Sequence, residues 1–305
     1  MLKILLTVLF ILAAASDLHA GKRIGVIMTG DIPYYGIIHK TFVDELNRRF
    51  AGAEKIEIIL QRPFPNPISW SNAARKLIAF DVDLIVTYGA PATEAVIYEK
   101  SRIPLVYAGL YDPEEAAVTA RNATGCGFKV PLSSILRYFK RLKTVNSLGI
   151  VFSSVEEDSV RQYETMQLLT AQQNIKTEKI DIRSRADMDK LKRLTSDAIF
   201  ITGSSLVHLW LDDIMPILLQ EKIPAAGIFP DVKDSGMLMT LHQPSHLQGE
   251  MAAEMAWRIL LGTKPSDIST YTFRDTELVF NKIEARNLGI NFPIQLLIEA
   301  TKVIE

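Results

Sequence analysis

Short apolar runs alternate along the chain with longer stretches in which apolar residues recur every three or four positions. The run Leu84–Val86, which lies between Asp83 and Gly89, has no alternating polar positions. Such a run is typical of a parallel strand that is buried on both faces. Pro91 suits the first turn of a helix, where its missing N–H costs nothing. The pattern therefore predicts a strand that passes directly into a helix.

The same arrangement occurs a second time. Asp197, an apolar run and Gly203 repeat the features of Asp83–Gly89. Upstream, the run Arg23–Met28 matches Ser147–Phe152, and a helical pattern follows each of them. We therefore predict an α/β protein of two Rossmann-like lobes, each with a parallel sheet built by right-handed crossovers, and joined by hinge crossovers.

The two predicted lobes are discontinuous in sequence. A first crossing is expected at Gly127–Pro131, where a short strand gives way to a helix, and a second at Gln243–Pro244, between a strand and a strong helix. The length of the chain suits two domains of medium size. The predicted division is residues 21–128 and about 243–266 for the first lobe, and residues 129–242 and about 267–305 for the second.

Local signals give further expectations about the helices. Ser154 and Glu157 are three residues apart before a helical pattern, which is the spacing of a capping box. The predicted helix Leu206–Gln220 contains Pro216, which indicates a kink. The last predicted helix is Pro293–Ile304.

The amino-terminal segment has the pattern of a secretory signal peptide. Lys3 precedes the apolar run Ile4–Ala15, which is too short to span a bilayer comfortably, and a polar, small-ended segment ends at Ala20. We expect export to the periplasm with cleavage after about Ala20, and an uncleaved membrane anchor is the alternative. Because Cys126 is the single cysteine, an exported chain would contain no internal disulfide.

Composition and motifs argue against several classes of function. A net charge of −1 does not suit a protein that binds nucleic acid, which needs a basic surface. No G-x-S-x-G, Walker-type, H-E-x-x-H or paired-cysteine motif occurs, so nucleophilic and metal catalysis have no support. His242 and His246 are four apart, but Pro244 between them indicates a strand-to-helix junction rather than a metal-binding face. We expect no enzyme, no cofactor and no metal site.

The two strand-to-helix turns are candidate sites for an anionic ligand group. Free backbone N–H groups at the start of a helix favour a carboxylate, and open α/β sheets bind ligands at their carboxyl edge. Each turn is equally consistent with an ordinary α/β connection, and serines there could cap the helix instead of contacting a ligand. The residues concerned are Tyr88, Gly89, Ala90, Pro91 and Ala92 in the first lobe and Gly203, Ser204 and Ser205 in the second.

Aromatic, acidic and hydroxyl side chains also follow the predicted strands. Aromatic rings at this edge could sandwich an apolar or aromatic ligand. Aspartates could hold a ligand's ammonium group or merely cap a turn. The further candidate ligand-binding residues are Asp31, Tyr34, Tyr111, Asp112, Ser153, Ser154, Asp158, Phe229 and Asp231.

The order of several motifs resembles that of a known family. The motifs are Asp83–Val86 with Ala90–Ala92, Ile103–Pro104 with Asp112–Pro113, Asn122–Gly125, Gly149–Phe152 with Glu156 and Ser159, Ile259–Pro265, and Asn281–Pro293. On these residues the chain resembles the type I periplasmic binding proteins, and among them the ABC transporter substrate-binding proteins of the tryptophan/tyrosine-binding kind. The resemblance covers nearly the whole predicted mature chain.

This resemblance implies a monomer whose two lobes close by a hinge motion on a small amino-acid-like, aromatic or carboxylate-bearing ligand and deliver it to an ABC permease in the inner membrane. A periplasmic sensor that presents its ligand to a membrane receptor kinase is the alternative. The chain departs from the family pattern in having Ala90 in place of a threonine, and Gly203 and Ser204 in place of an Asp-Asn pair. The resemblance implies that the missing aspartate would meet a ligand's ammonium group, a role left here to Asp158 or Asp231.

Overall fold

The computed structural model describes residues 21–50, 55–116, 118, 120–231 and 235–305. The predicted signal peptide, residues 1–20, lies outside the described residues. Thirteen strands occur in the described part of the chain. They are β1 Lys22–Met28, β2 Ile56–Gln61, β3 Leu84–Tyr88, β4 Leu105–Tyr111, β5 Ala123–Phe128, β6 Ser147–Phe152, β7 Lys176–Asp181, β8 Ala198–Ile201, β9 Ala225–Gly227, β10 Met239–His242, β11 Tyr271–Phe273, β12 Glu277–Asn281 and β13 Lys302–Ile304.

Ten α-helices of the described residues connect these strands, together with two short 3₁₀ helices at Arg185–Arg193 and Pro265–Asp267. None of these helices combines the length and the apolar character that crossing a bilayer requires. The α-helices are α1 Pro33–Arg49, α2 Pro67–Ala79, α3 Ala90–Tyr98, α4 Leu132–Leu142, α5 Glu157–Ala171, α6 Ser205–Leu209, α7 Leu211–Gln220, α8 Ser245–Leu260, α9 Lys282–Leu288 and α10 Ile294–Glu299.

The strands form two sheets, one in each lobe. The first sheet has the order β11-β5-β4-β3-β1-β2 and all its neighbouring strands are parallel. The second has the order β13-β12-β10-β9-β8-β6-β7, and its one antiparallel pair among the described strands is β10 with β12. The predicted α/β fold of two lobes with parallel sheets is therefore confirmed.

Helices on both faces of the first sheet explain why its central strands are continuously apolar. Ile24 and Val26 of β1 lie in the same buried cluster as Phe42 of α1. Ile27 of the same strand points to the opposite face and packs in another cluster with Leu77 of α2. Because alternate side chains of one strand enter two different cores, neither set of positions can be polar.

The chain crosses between the two sheets three times, after β5, after β10 and after β11. The predicted division placed residues from about 267 onward in the second lobe. Strand β11 instead pairs with β5 of the first sheet, with Tyr271 opposite Cys126 and Phe273 opposite Phe128. The third crossing therefore lies between Phe273 and Glu277, and the boundary near residue 267 is corrected accordingly.

Two predicted helices differ from the observed ones. The helix expected at Leu206–Gln220 is interrupted at Trp210, whose N–H donates to the Val207 carbonyl in a tighter turn, and Pro216 lies inside the following helix α7. The helix expected at Pro293–Ile304 ends at Glu299. The chain then extends as β13, which pairs with β12 at the edge of the second sheet.

Candidate ligand-binding cleft

The carboxyl ends of the two sheets face each other across one cleft, which is closed. Tyr34, at the start of α1 in the first lobe, stacks on Phe229, which follows β9 in the second lobe. The ring centroids are 4.0 Å apart and the planes differ by 12°. Both side chains are buried, with 2 % exposure each. Because 4.0 Å is a direct stacking distance, no third ring fits between them in this conformation.

Glu156 fills the turn that precedes α6. Its Oε1 accepts hydrogen bonds from the Ser204 hydroxyl at 2.7 Å and the Leu206 N–H at 2.8 Å. Its Oε2 accepts from the Ser205 N–H at 2.8 Å. The side chain is 1 % exposed. Burial raises the pKa of Glu156, whereas these hydrogen bonds act in the opposite direction.

The prediction that Gly203–Ser205 offers its N–H groups to a ligand's anionic group is therefore corrected. The protein's own carboxylate already accepts from this turn. The Ser204 hydroxyl also accepts from the Val207 N–H, so Ser204 is a helix cap, which was the alternative interpretation. The predicted capping box at α5 is not formed, because the Ser154 hydroxyl donates to Asp181 instead.

Gly203 lies directly under the ring of Phe229. Its N–H donates to Gln162 Oε1 at 2.7 Å. A Cβ atom at this position would lie 2.9 Å from Cε1 of Phe229 and 3.0 Å from its Cζ. Any side chain at position 203, including the aspartate of the family pattern, would displace the ring. The close packing of Phe229 thus gives a physical reason for glycine here.

We expect Gly203→Ala to lower the free energy of unfolding by about 1–2 kcal/mol, because an added methyl overpacks a filled site. The displaced Phe229 would also lose its stack on Tyr34. Urea denaturation measures the change. Gly36→Ala is the control, since position 36 lies in α1 with nothing within 4 Å of its added Cβ, and it should be neutral or slightly stabilising. Equal stability of the two variants would contradict the proposed crowding at Gly203.

Asp158 is a buried carboxylate on the second-lobe wall of the cleft. It is 3 % exposed, and its Oδ1 accepts from the Ser159 N–H at 3.1 Å. Among the described residues, no Lys, Arg or His nitrogen lies within ion-pair distance of it. Burial, and then the charge of Glu156, raise the pKa of Asp158 to about 8. Burial raises the pKa values of Tyr34 and Tyr35 across the cleft, and the ionised form of Asp158 adds to that rise.

Several polar atoms around the cleft are buried without a hydrogen-bond partner. They are Nε and Nη2 of Arg161, and Nε2 of Gln162, His208 and Gln243. Buried polar groups are nearly always paired, so an unpaired set at one cleft indicates positions that a ligand would satisfy. The sequence analysis missed Arg161, Gln162 and His208. The spacing of Asp158, Arg161 and Gln162, which places them on one face of α5, was the available signal.

The first-lobe turn is covered by residues of its own lobe. The hydroxyl of Tyr35 lies over Gly89, where a Cβ atom would be 2.3 Å away and φ is +90°. The Ala92 N–H is 3.3 Å from Thr29 Oγ1, which accepts from it. Ala90, Pro91 and Ala92 are buried. Their role as an anion site remains a prediction.

Several other predicted site residues have polar groups that neighbouring residues already engage. Asp31 is also exposed, and the ring of Tyr88 lies behind β3 against Phe42 rather than in the cleft. Assigning a ligand contact to Tyr88 is therefore corrected, whereas the ligand contact of Asp31 remains a prediction. The observed partners are Arg62 for Asp31 at 3.5 Å, His39 for Tyr88 at 3.2 Å, Lys129 for Asp112, Ser159 and Val155 for Ser153, Asp181 for Ser154, and Ser235 and Met237 for Asp231.

Tyr34, Tyr111, Asp158 and Phe229 are the predicted residues that the structure brings together at the cleft. Tyr111 is buried, packs edge-on against Phe128, and donates to the Val130 carbonyl at 3.4 Å. Burial raises the pKa of Tyr111, and Asp158 contributes to that rise. Within the described ranges, no cluster of three or more His, Cys, Asp or Glu side chains is placed to hold a metal ion.

Comparisons with known proteins agree with a two-lobed binding protein. The chain is 20% identical over 278 residues to the tyrosine-binding protein of Clostridioides difficile strain R20291, covering 88% of this chain and 81% of the relative. A conserved domain protein of Vibrio cholerae has a TM-score of 0.87 at 22% identity, covering 92% of this chain and 99% of that one. An ABC domain of Streptococcus pneumoniae in complex with L-Trp also has a TM-score of 0.87 at 22% identity, covering 93% and 100%.

A ligand-free, open substrate binding protein of Clostridium difficile has a lower TM-score of 0.63 at 21% identity, covering 93% of this chain and 99% of that one. The family model for ABC transporter substrate binding proteins matches residues 54–304. Since that match spans most of the sequence, the chain belongs to the ABC transporter substrate binding protein family, and the cleft between its lobes is where it captures a small ligand for an ABC importer.

Proposed function

We propose that this chain is the periplasmic receptor of an ABC importer for an aromatic α-amino acid, whose ammonium group binds Asp158. The observation that carries the proposal is Asp158 itself. Asp158 is 3 % exposed and lies next to Glu156, opposite the rings of the first lobe. The charged form of its carboxyl group is therefore poorly stabilised unless a cation binds to it. A cation bound at this place would remove that penalty.

The rings near Asp158 supply a surface for an aromatic side chain. Tyr34 and Phe229 stack on each other in the closed cleft. A ligand ring inserted between them would need a centroid separation of roughly 7–8 Å, or two stacking distances. Each of these two rings therefore covers the face of the other that would contact a ligand ring, until the lobes separate. The relatives named for tyrosine and solved with L-Trp bind ligands of this class.

The ligand's carboxylate has one favourable partner in the second lobe. The turn before α6 is taken by Glu156. Arg161, by contrast, has a side chain that is 13% exposed, with Nε and Nη2 buried and without acceptors. Gln162 adds an unpaired amide N–H group on the same face of α5. A carboxylate at Arg161 and an ammonium at Asp158 together suit the two charges of an α-amino acid.

A matched set of ligands tests this assignment. L-tyrosine, tyramine and 3-(4-hydroxyphenyl)propionate share the ring, but the second lacks the carboxylate and the third lacks the ammonium group. We expect tyrosine to bind. Tyramine should bind roughly 10-fold more weakly than tyrosine, and the propionate at least roughly 100-fold more weakly, since each loses a charged hydrogen bond. Calorimetric titration at pH 7 measures the affinities. Equal binding of tyrosine and the propionate would exclude ammonium recognition by Asp158. Failure of tyrosine, tryptophan and phenylalanine to bind the folded protein would exclude the proposed ligand class.

A further inference from the structure

A small chamber lies beside the Tyr34–Phe229 stack, between the start of α1 and the helices α6 and α7. Ile32, Pro33 and Leu211 give it apolar walls, and His208 is its polar wall nearest to Phe229. In the closed cleft its volume is about 30 Å³, which is room for roughly two waters. No Lys or Arg is among the described residues that line it.

The hydrogen bond of His208 fixes which ring nitrogen carries the proton. Nδ1 lies 2.8 Å from the carbonyl oxygen of Ser204. A carbonyl oxygen only accepts, so Nδ1 must be the donor. Burial lowers the pKa of His208 to about 4, and the imidazole is therefore neutral at pH 7. Nε2 then carries a lone pair, and it is buried without any donor.

Asp212, Asp231 and Ser235 are the other polar residues that line this chamber, together with Tyr34, and Asp231 is held by its own loop. Its Oδ1 accepts from the Ser235 N–H and hydroxyl, and its Oδ2 accepts from the Met237 N–H. These bonds hold the carboxylate to its own loop. His208 Nε2 is thus an acceptor, among the described lining atoms, that has no partner in the protein.

We infer that His208 Nε2 accepts a hydrogen bond from a donor on the ligand's aromatic ring, so that the cleft selects hydroxyphenyl and indole side chains over a plain phenyl ring. The inference rests on the proposed function, which concerns the ligand's ammonium and carboxylate groups, and it specifies how the ligand's aromatic side chain is recognised. A ligand's phenyl ring whose edge faces this chamber would leave Nε2 buried without a donor, whereas the O–H of a phenol or the N–H of an indole would reach into the chamber and pair with it. A site built to hydrogen-bond a ligand group rejects the analogue that lacks the group.

The test compares L-tyrosine, L-tryptophan and L-phenylalanine on the full chain and on two variants. For the unaltered protein we expect phenylalanine to bind roughly 10- to 100-fold more weakly than tyrosine and tryptophan. His208→Phe keeps a ring but loses the acceptor, and the preference should fall to within about threefold. His208→Gln can place an amide oxygen near the position of Nε2 and should keep part of the preference. Equal binding of all three ligands by the unaltered protein, or an unchanged preference in His208→Phe, would overturn the inference.

A second measurement separates this inference from the proposed function. If none of the three amino acids binds, the ligand class is wrong, and the chamber is then probed with 4-methylphenol and toluene. The ¹⁵N signal of His208 Nε2, assigned by its absence in His208→Phe, should shift with the phenol and not with toluene. A signal that stays in place up to the solubility limit of the phenol would overturn the assignment of Nε2 as a ligand acceptor.

Discussion

Replacing Asp158 with Asn is expected to weaken binding of the aromatic amino acid at least roughly 100-fold and, at the same time, to raise the melting temperature of the empty protein. Breaking a buried ion pair costs about 3–5 kcal/mol, which is more than a 100-fold loss of affinity. Without ligand, Asp158 has no cation within ion-pair distance among the described residues, so folding at pH 7 requires it to take up a proton. Asn keeps the shape of the side chain and removes the free-energy cost of that protonation. Calorimetric titration and thermal unfolding at pH 7 measure the two opposite effects.

The pH dependence of the stability difference between Asp158→Asn and the unaltered protein gives an independent check. Burial raises the pKa of Asp158 to about 8 in the folded, empty form, against about 3.9 in an unfolded chain. Between these values the folded form binds more protons, so the contribution of Asp158 is fully present below about pH 4 and is lost as the pH rises through about 8. The stability difference between Asp158→Asn and the unaltered protein should therefore grow over this window. Ligand binding should release a proton, because the ammonium group replaces it.

Glu157→Gln is the matched control for this experiment. It makes the same carboxyl-to-amide change one residue away, but its side chain is 69% exposed and makes only a 3.8 Å contact with Arg161. Affinity and melting temperature should change little, as for most exposed ion pairs. A loss of affinity as large as that of Asp158→Asn would indicate a general charge effect. Unaltered binding by Asp158→Asn would exclude Asp158 as the ammonium partner.

The second large effect is expected on stability. Glu156→Ala should lower the free energy of unfolding by about 3 kcal/mol or more, because buried donors left without an acceptor cost about 1–3 kcal/mol each. The affected donors are the N–H groups of Ser205 and Leu206 and the hydroxyl of Ser204. Alanine also leaves space, so added formate should restore part of the lost stability in the variant. Urea denaturation with and without formate measures both effects.

Ser204→Ala serves as the comparison for Glu156→Ala. It removes the hydroxyl that donates to Glu156 and caps the Val207 N–H, at a cost of about 1 kcal/mol, and leaves the carboxylate in place. Formate should have no effect on this variant or on the unaltered protein. Similar losses in both variants, or stabilisation of all three proteins by formate, would show that Glu156 does not act as the internal anion of this turn.

Continuous apolar runs are the reason that most of both sheets could be predicted from the sequence. Strand β1, Lys22–Met28, contains the run Arg23–Met28 that the sequence pattern singled out, because a parallel strand covered on both faces leaves an unbroken apolar pattern. Strands β11 and β13 have three residues each and are partly exposed. So short a segment has no detectable period, and its place depends on pairing with β5 or β12.

The cleft could be predicted only in part, for a related reason. Strand ends share one edge, so Tyr34, Asp158 and Phe229 could be expected near each other. The direction of a strand's last side chain depends on its register, and for this reason Tyr88 points into the first lobe. The role of Glu156 depends on contact with a turn almost fifty residues away in the chain, which no local pattern reports.

The direct contact between Tyr34 and Phe229 has a consequence for the importer as a whole. Two rings that stack on each other can hold the lobes together without a ligand ring between them. A permease that recognises the closed shape would then also meet unloaded receptors, which would trigger ATP hydrolysis without transport. We expect opening of the lobes to expose Asp158 to water and to lower its pKa, so that closure without ligand would take up a proton and make this futile cycle depend on pH. At neutral pH unloaded receptors would favour the open shape, and ligand-loaded receptors would bind the permease without competition. At acidic pH unloaded and loaded receptors would compete for the permease.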